Sequence, residues 1–138
     1  MNPMRPRIAI VDDENSVRKA LERLLRSAGL DVATFACGSD FLAADHDAID
    51  CLVLDLHMPR LSGFEVMQQL RRRGSPLAVV VITGHDTPEA QARALASGAS
   101  AYLLKPVDDE VLLAAIATAT ARPVSGDERF SAVPPSII

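Results

Sequence analysis

Cysteine is scarce in this chain. Cys37 and Cys51 are the only two, far apart and without CxxC spacing, which argues against a cysteine metal cluster and reads them as small buried apolar residues. Long apolar runs are missing as well. No stretch approaches the roughly 20 residues needed to span a bilayer, and residues 1–7 lack the apolar centre of a secretory signal. The expected location is therefore the cytoplasm, with no membrane contact and with both thiols free. Positive charge is in deficit: 14 Lys and Arg against 18 Asp and Glu leave a net charge of −4, which argues against a nucleic-acid surface within these residues. Any DNA contact would have to come from another segment or chain. Internal repeats are absent too. What is present is a chain of 138 residues, 49% of them hydrophobic, enough to bury one core without metals or staples.

Five short apolar runs have the length and β-branched content of strands: RIAIV (7–11), DVATF (31–35), CLVL (51–54), LAVVVI (77–82) and AYLL (101–104). Helical spacing fills the gaps. The clearest helix puts Val17, Ala20, Leu21, Leu24, Leu25 and Ala28 on one stripe and stops at Gly29; Asp13 or Asn15 is its expected cap. Weaker helices are predicted at 39–44 and 63–73, the second with Val66, Met67 and Leu70 inward and Arg71, Arg72 and Arg73 complementing its dipole. Thr87 and Pro88 open a helix that ends near Gly98. Asp108 caps the last one, with Val111, Leu112, Ala115, Ile116 and Ala119 inward.

Five alternations of strand and helix call for an α/β fold, a doubly wound five-stranded parallel sheet with five helices, flavodoxin-like (βα)5, in the order 2-1-3-4-5. DVATF alternates and fits an edge; the other four runs are apolar almost throughout and read as central strands. The domain is expected over 7–121, after an N-terminal extension of residues 1–6. Residues 122–138, with three prolines and no periodicity, read as a tail or the start of a linker.

In such sheets ligands sit outside the carboxyl ends of the strands. Here that edge carries Asp12 and Asp13 after strand one, Asp55 after strand three, Thr83 after strand four and Lys105 after strand five. Each alone has an ordinary structural role: a helix cap, an Asx-turn, a β-branched strand residue, a solvated lysine. Together they complement one another. Strands one and four would flank strand three at about 4.8 Å, and strand five would lie about 10 Å from it. That distant position holds the one long side chain, Lys105. Three adjacent carboxylates repel, and a hard cation relieves the repulsion; Mg²⁺ fits best, with Mn²⁺ as its substitute. A lysine and a hydroxyl opposite suit phosphoryl oxygens, and a carboxylate in such a site can itself accept the phosphoryl group.

IVDDE (10–14), LVLDLHMPRLSG (52–63), VVVITGH (79–85) and YLLKP (102–106) jointly resemble the receiver domain of two-component response regulators, most closely the FixJ-like type. The resemblance implies Asp55 as the phosphoacceptor, and Asp12, Asp13, Asp55 and the main-chain carbonyl of His57 as ligands of Mg²⁺. It further implies Lys105 as the phosphoryl-pairing lysine, Thr83 and Tyr102 as switch residues, and a cis Lys105–Pro106 bond. His57 and His85 stand where side chains modulate dephosphorylation; the other reading of both is a solvated loop residue. The implied partner is a sensor histidine kinase. A phosphorylation-dependent homodimer through helix 4, strand 5 and helix 5 is a further implication. FixJ-like proteins usually carry a helix-turn-helix output domain, which 17 residues cannot form, so the chain is either a stand-alone receiver or a piece ending in its linker, and the Pro-rich extension favours the piece.

Three other classes compete. A haloacid-dehalogenase-like phosphatase also uses a strand-end Asp with Mg²⁺, but it resembles Asp-x-Asp, and His57 stands at the second acidic position. A flavodoxin-like FMN binder needs a hydroxyl- and glycine-rich loop where this chain has DDEN, whose acids would repel phosphate. The third is a non-phosphorylated interaction module.

Overall fold

The computed structural model describes residues 5–121; the expectations for most of the N-terminal extension and for the tail at 122–138 lie outside the described residues. The elements run β1 (Arg7–Val11), α1 (Asn15–Ser27), β2 (Asp31–Phe35), α2 (Gly38–Ala43), β3 (Cys51–Asp55), α3 (Gly63–Arg72), β4 (Ala78–Thr83), α4 (Pro88–Ala96), β5 (Ala101–Leu104) and α5 (Asp109–Thr120). All strand pairings are parallel and the order is β2-β1-β3-β4-β5, as expected.

Side chains of a strand alternate between the two faces of the sheet, so each apolar run feeds two cores. Ala9, Val11, Leu52, Leu54, Val79 and Val81 pack with Phe41, Val66, Met67, Leu70 and Ala94 of α2, α3 and α4. Ile8, Ile10, Cys51, Val53, Val80 and Ile82 pack with Leu21, Leu25, Leu112 and Ile116 of α1 and α5. Each fully buried Val, Leu or Ile contributes about 1.5–3 kcal/mol. That burial on both faces is why β3 is apolar without interruption until Asp55.

Local chemistry sets the helix ends. Ser62 and Glu65 form a reciprocal capping box at α3. Thr87 Oγ1 accepts from the Ala90 amide at α4, and Asp108 accepts from the amides of Glu110 and Val111 at α5. Gly29, just beyond α1, has φ +88°, a conformation that suits glycine.

Several expectations need correction. The α1 cap is Glu14, whose side chain makes no capping bond: its Oε1 accepts from Lys105 Nζ, while Asp12 Oδ1 accepts from the Glu14 amide and organises the turn. Ala20 and Ala28 are exposed: the apolar stripe narrows to Leu21 and Leu25, with Val17 and Leu24 partly covered. Val111 is half exposed, since α5 packs through Leu112 and Ile116 and the adjacent position lies about 100° around the helix. The run AYLL is the second edge strand rather than a central one, and Leu104 is accordingly half exposed. Both cysteines are free; Cys51 is buried and Cys37 only partly so. No helix among the described residues is long and apolar enough to cross a membrane.

Candidate functional site

The carboxyl ends of β1, β3, β4 and β5 bring the five polar side chains together. Asp12, Asp55 and Thr83 are almost completely buried, whereas Asp13 is exposed. One oxygen from each of Asp12, Asp13 and Asp55 lies within 4.8 Å of the others. Lys105 reaches in from β5, ahead of a cis bond to Pro106. Its Nζ is 2.9 Å from Asp12 Oδ2, 3.1 Å from Glu14 Oε1 and 3.5 Å from Asp55 Oδ1. The length of the lysine stem thus spans the sheet as the strand order requires.

Asp12 is held on three sides. Its Oδ1 accepts from the Glu14 amide, and its main-chain carbonyl accepts from Arg18 Nη1 at 2.8 Å. Oδ2 is within ion-pair reach of Lys105, yet it accepts no well-directed hydrogen bond and is fully buried. A buried carboxylate oxygen with an unused lone pair, next to two further carboxylates, is the donor set a hard cation such as Mg²⁺ takes. The residues present fit that ion.

Burial and the like charge of Asp12 push the Asp55 carboxyl up from its ordinary value to about 7, against the opposing pull of Lys105 and of the His57 amide, which donates to Asp55 Oδ1 at 3.3 Å. Burial works against the Lys105 ammonium, but the close approach of Asp12, the charge of Asp55 and a hydrogen bond to Glu14 outweigh it and raise the lysine.

Across the site, Thr83 Oγ1 accepts from the His85 amide at 3.0 Å and lies 3.3 Å from the His85 carbonyl. His57 Nδ1 is 3.2 Å from the same hydroxyl, and the two imidazole rings lie 5.1 Å apart. Tyr102 is half buried on β5 and donates its hydroxyl to Asp86 Oδ1 at 3.1 Å. The loop that carries His57 is folded tightly under Asp55: the Gly63 amide donates to the Leu56 carbonyl, and a Cβ on Gly63 would stand 2.5 Å from the Asp55 carbonyl oxygen.

Two participants escaped sequence reasoning. Glu14 shares Lys105 with the aspartates, and Arg18 clamps the Asp12 carbonyl. Only the position of Glu14 directly after the acidic pair hinted at a role, because its contact with Lys105 spans 91 residues.

Residues 8–117 match the family model described as the response regulator receiver domain. The chain belongs to that family. Among curated proteins this receiver is 40% identical over 113 residues to the response regulator protein TodT of Pseudomonas putida, covering 81% of this chain and 50% of TodT. It is 37% identical over 117 residues to the transcriptional regulatory protein FixJ of Azorhizobium caulinodans, covering 83% of this chain and 55% of FixJ. Among solved structures it resembles FixJ-N, with a TM-score of 0.80 and 34% identity over 88% of this chain and 98% of that one. The receiver spans about half the length of the curated relatives it matches.

Proposed function

We propose that this receiver takes a phosphoryl group onto Asp55 from a sensor histidine kinase in a Mg²⁺-dependent reaction, with Mn²⁺ able to substitute, and relays the change through α4, β5 and α5. The observation that carries the reading is Lys105 Nζ set between buried Asp12 and Asp55, beside an Asp12 oxygen that has no well-directed hydrogen bond. Asp12, Asp13, Asp55 and the main-chain carbonyl of His57 would hold the cation. When bound, it supplies positive charge that offsets the phosphoryl oxygens.

An oxygen of ionised Asp55 attacks phosphorus; the bond from phosphorus to the donor imidazole nitrogen breaks, and that nitrogen keeps the electron pair and takes up a proton. Lys105 turns from Asp12 and Glu14 to a phosphoryl oxygen. Thr83 donates a hydrogen bond from its hydroxyl to another, which requires it to leave its present contacts with His57 and His85. Moving a two-state equilibrium from 1:99 to 99:1 takes about 5.5 kcal/mol, and contacts to charged groups contribute about 1.5–3 kcal/mol each. Lys105 and Thr83 can therefore supply most of a switch, with dimerisation completing it.

Leu95 on α4, Leu104 on β5 and Val111 on α5 are each about half exposed, so the face next to Tyr102 is apolar enough to join a second copy once Thr83 moves. His57 and His85 border the hydroxyl and set how readily water reaches the phosphoryl group. The output is transcriptional, through a DNA-binding unit other than these residues. Support for this comes from the similarity to FixJ, itself described as a transcriptional regulatory protein.

The test is incubation with Mg²⁺ and a small acyl phosphate, followed by intact mass measurement. Wild type is expected to gain one phosphoryl group and Asp55→Asn none. An unmodified wild type overturns the reading, and a labelled Asp55→Asn moves the acceptor elsewhere.

A further inference from the structure

Outside the phosphoryl site, α3 and α4 enclose a groove of about 480 Å³ that the phosphoryl chemistry does not use. It is lined by Phe64, Gln68, Arg71 and Arg72 of α3 and by Arg93 and Ser97 at the end of α4. In a chain of net charge −4, three guanidiniums thus share one concavity. Among the described residues, none of the three has a carboxylate within 4 Å. Glu89 stands one helical turn before Arg93, a spacing that permits a pair, but Arg93 instead lies over the Phe64 ring, 4.0 Å from its centroid.

We propose that this groove binds a nucleotide with two or more phosphates. The lining residues are rich in hydrogen-bond donors and contain no acid, which suits a ligand dense in anionic oxygens. Guanidinium forks grip phosphate in two-point fashion, and Ser97 and Gln68 add neutral donors. Arg93 is exposed, with its guanidinium carbon over the Phe64 ring, and a planar guanidinium so placed can pair with a planar base. The volume falls in the range of small-molecule sites, about 300–1,000 Å³. Docked protein segments anchor through buried aromatic or aliphatic side chains, and the one large apolar group here, Phe64, is already covered by Arg93. That favours a small anionic ligand over an acidic peptide.

Titration of the full chain in Mg²⁺-free buffer with ADP, pyrophosphate, adenosine and octaglutamate, followed by calorimetry and amide NMR shifts, tests the assignment. ADP is expected to bind and to shift amides of α3 and α4, pyrophosphate to bind about tenfold more weakly and adenosine not at all. Arg72→Gln and Arg93→Gln should each weaken ADP about tenfold, the usual loss for one charged contact. Both side chains are exposed, so an unchanged melting temperature will show that the fold is kept. Absence of ADP binding at millimolar concentration, equal affinity for pyrophosphate, or unchanged affinity in both variants overturns the proposal. Tighter binding of octaglutamate than of ADP also overturns it and assigns the groove to an acidic protein segment.

Discussion

Lys105 Nζ stands 2.9 Å from Oδ2 of Asp12, a carboxylate with no exposed surface. The pair is stable only as a pair, because either charge left alone in that environment is uncompensated. Lys105→Met should cost about 3 kcal/mol at pH 8 without divalent metal, read by chemical denaturation. At pH 5 the loss should be smaller, since Asp55, with its carboxyl raised to about 7, is then protonated and one fewer charge is stranded. An equal loss at both pH values would show that Lys105 acts through packing alone.

Asp55 itself should write a slope into the pH dependence of stability. Its carboxyl titrates near 7 when folded and near 3.8 when free, so between those values the native state holds a proton that the unfolded state has released. The contribution is complete below about pH 4 and is lost as the pH rises through 7, an upper bound of about 4 kcal/mol. Metal-free wild type should therefore melt at progressively lower temperature from pH 4 to 8. Asp55→Asn should flatten that decline and be the more stable protein at pH 8.

Thr83→Val should separate accepting phosphate from responding to it. The substitution leaves the His85 amide and the His57 ring without their shared partner and should cost about 1–2 kcal/mol. Mass measurement should still find one phosphoryl group on the variant. Sedimentation should show a weaker shift toward dimer than in phosphorylated wild type.

Gly63→Ala tests the floor under the acceptor. Its Cβ would meet backbone on both sides, 2.5 Å from the Asp55 carbonyl oxygen and 2.8 Å from Leu56 Cα, so the loop itself must move. A loss of about 1–3 kcal/mol and slower labelling of Asp55 are expected. At Gly38 the nearest atom, 2.6 Å away, belongs to the Val66 side chain, which can yield more easily. Gly38→Ala should disturb labelling less.

The strand order and the meeting of Asp12, Asp55, Thr83 and Lys105 were legible because both follow from short-range pattern. Apolar runs of strand length mark the sheet, and four of the five end in a polar residue at the one edge where ligands collect. What stayed hidden depends on direction rather than type. Val111 has the spacing of a core residue, but the rotation of α5 onto Leu112 and Ile116 turns it to solvent. Asp13 and Asn15 both have the chemistry of a helix cap, but Glu14 takes that position and Asp12 Oδ1 accepts from its amide. His57 and His85 read as two independent loop residues, and only the fold reveals that their loops share the hydroxyl of Thr83. The groove between α3 and α4 was invisible for the same reason: Arg71 and Arg72 read as a dipole complement, and nothing local joins them to Arg93.

The reach of Lys105 to Glu14 across 91 residues also has a meaning in time. At about 5–20 residues per second, synthesis presents the acidic cluster of the first and third strands well before the lysine, which follows Glu14 by roughly 5–18 s. The acids therefore meet in the folding sheet before their lysine can join them, and divalent metal should favour that closing step as well as serve the finished site.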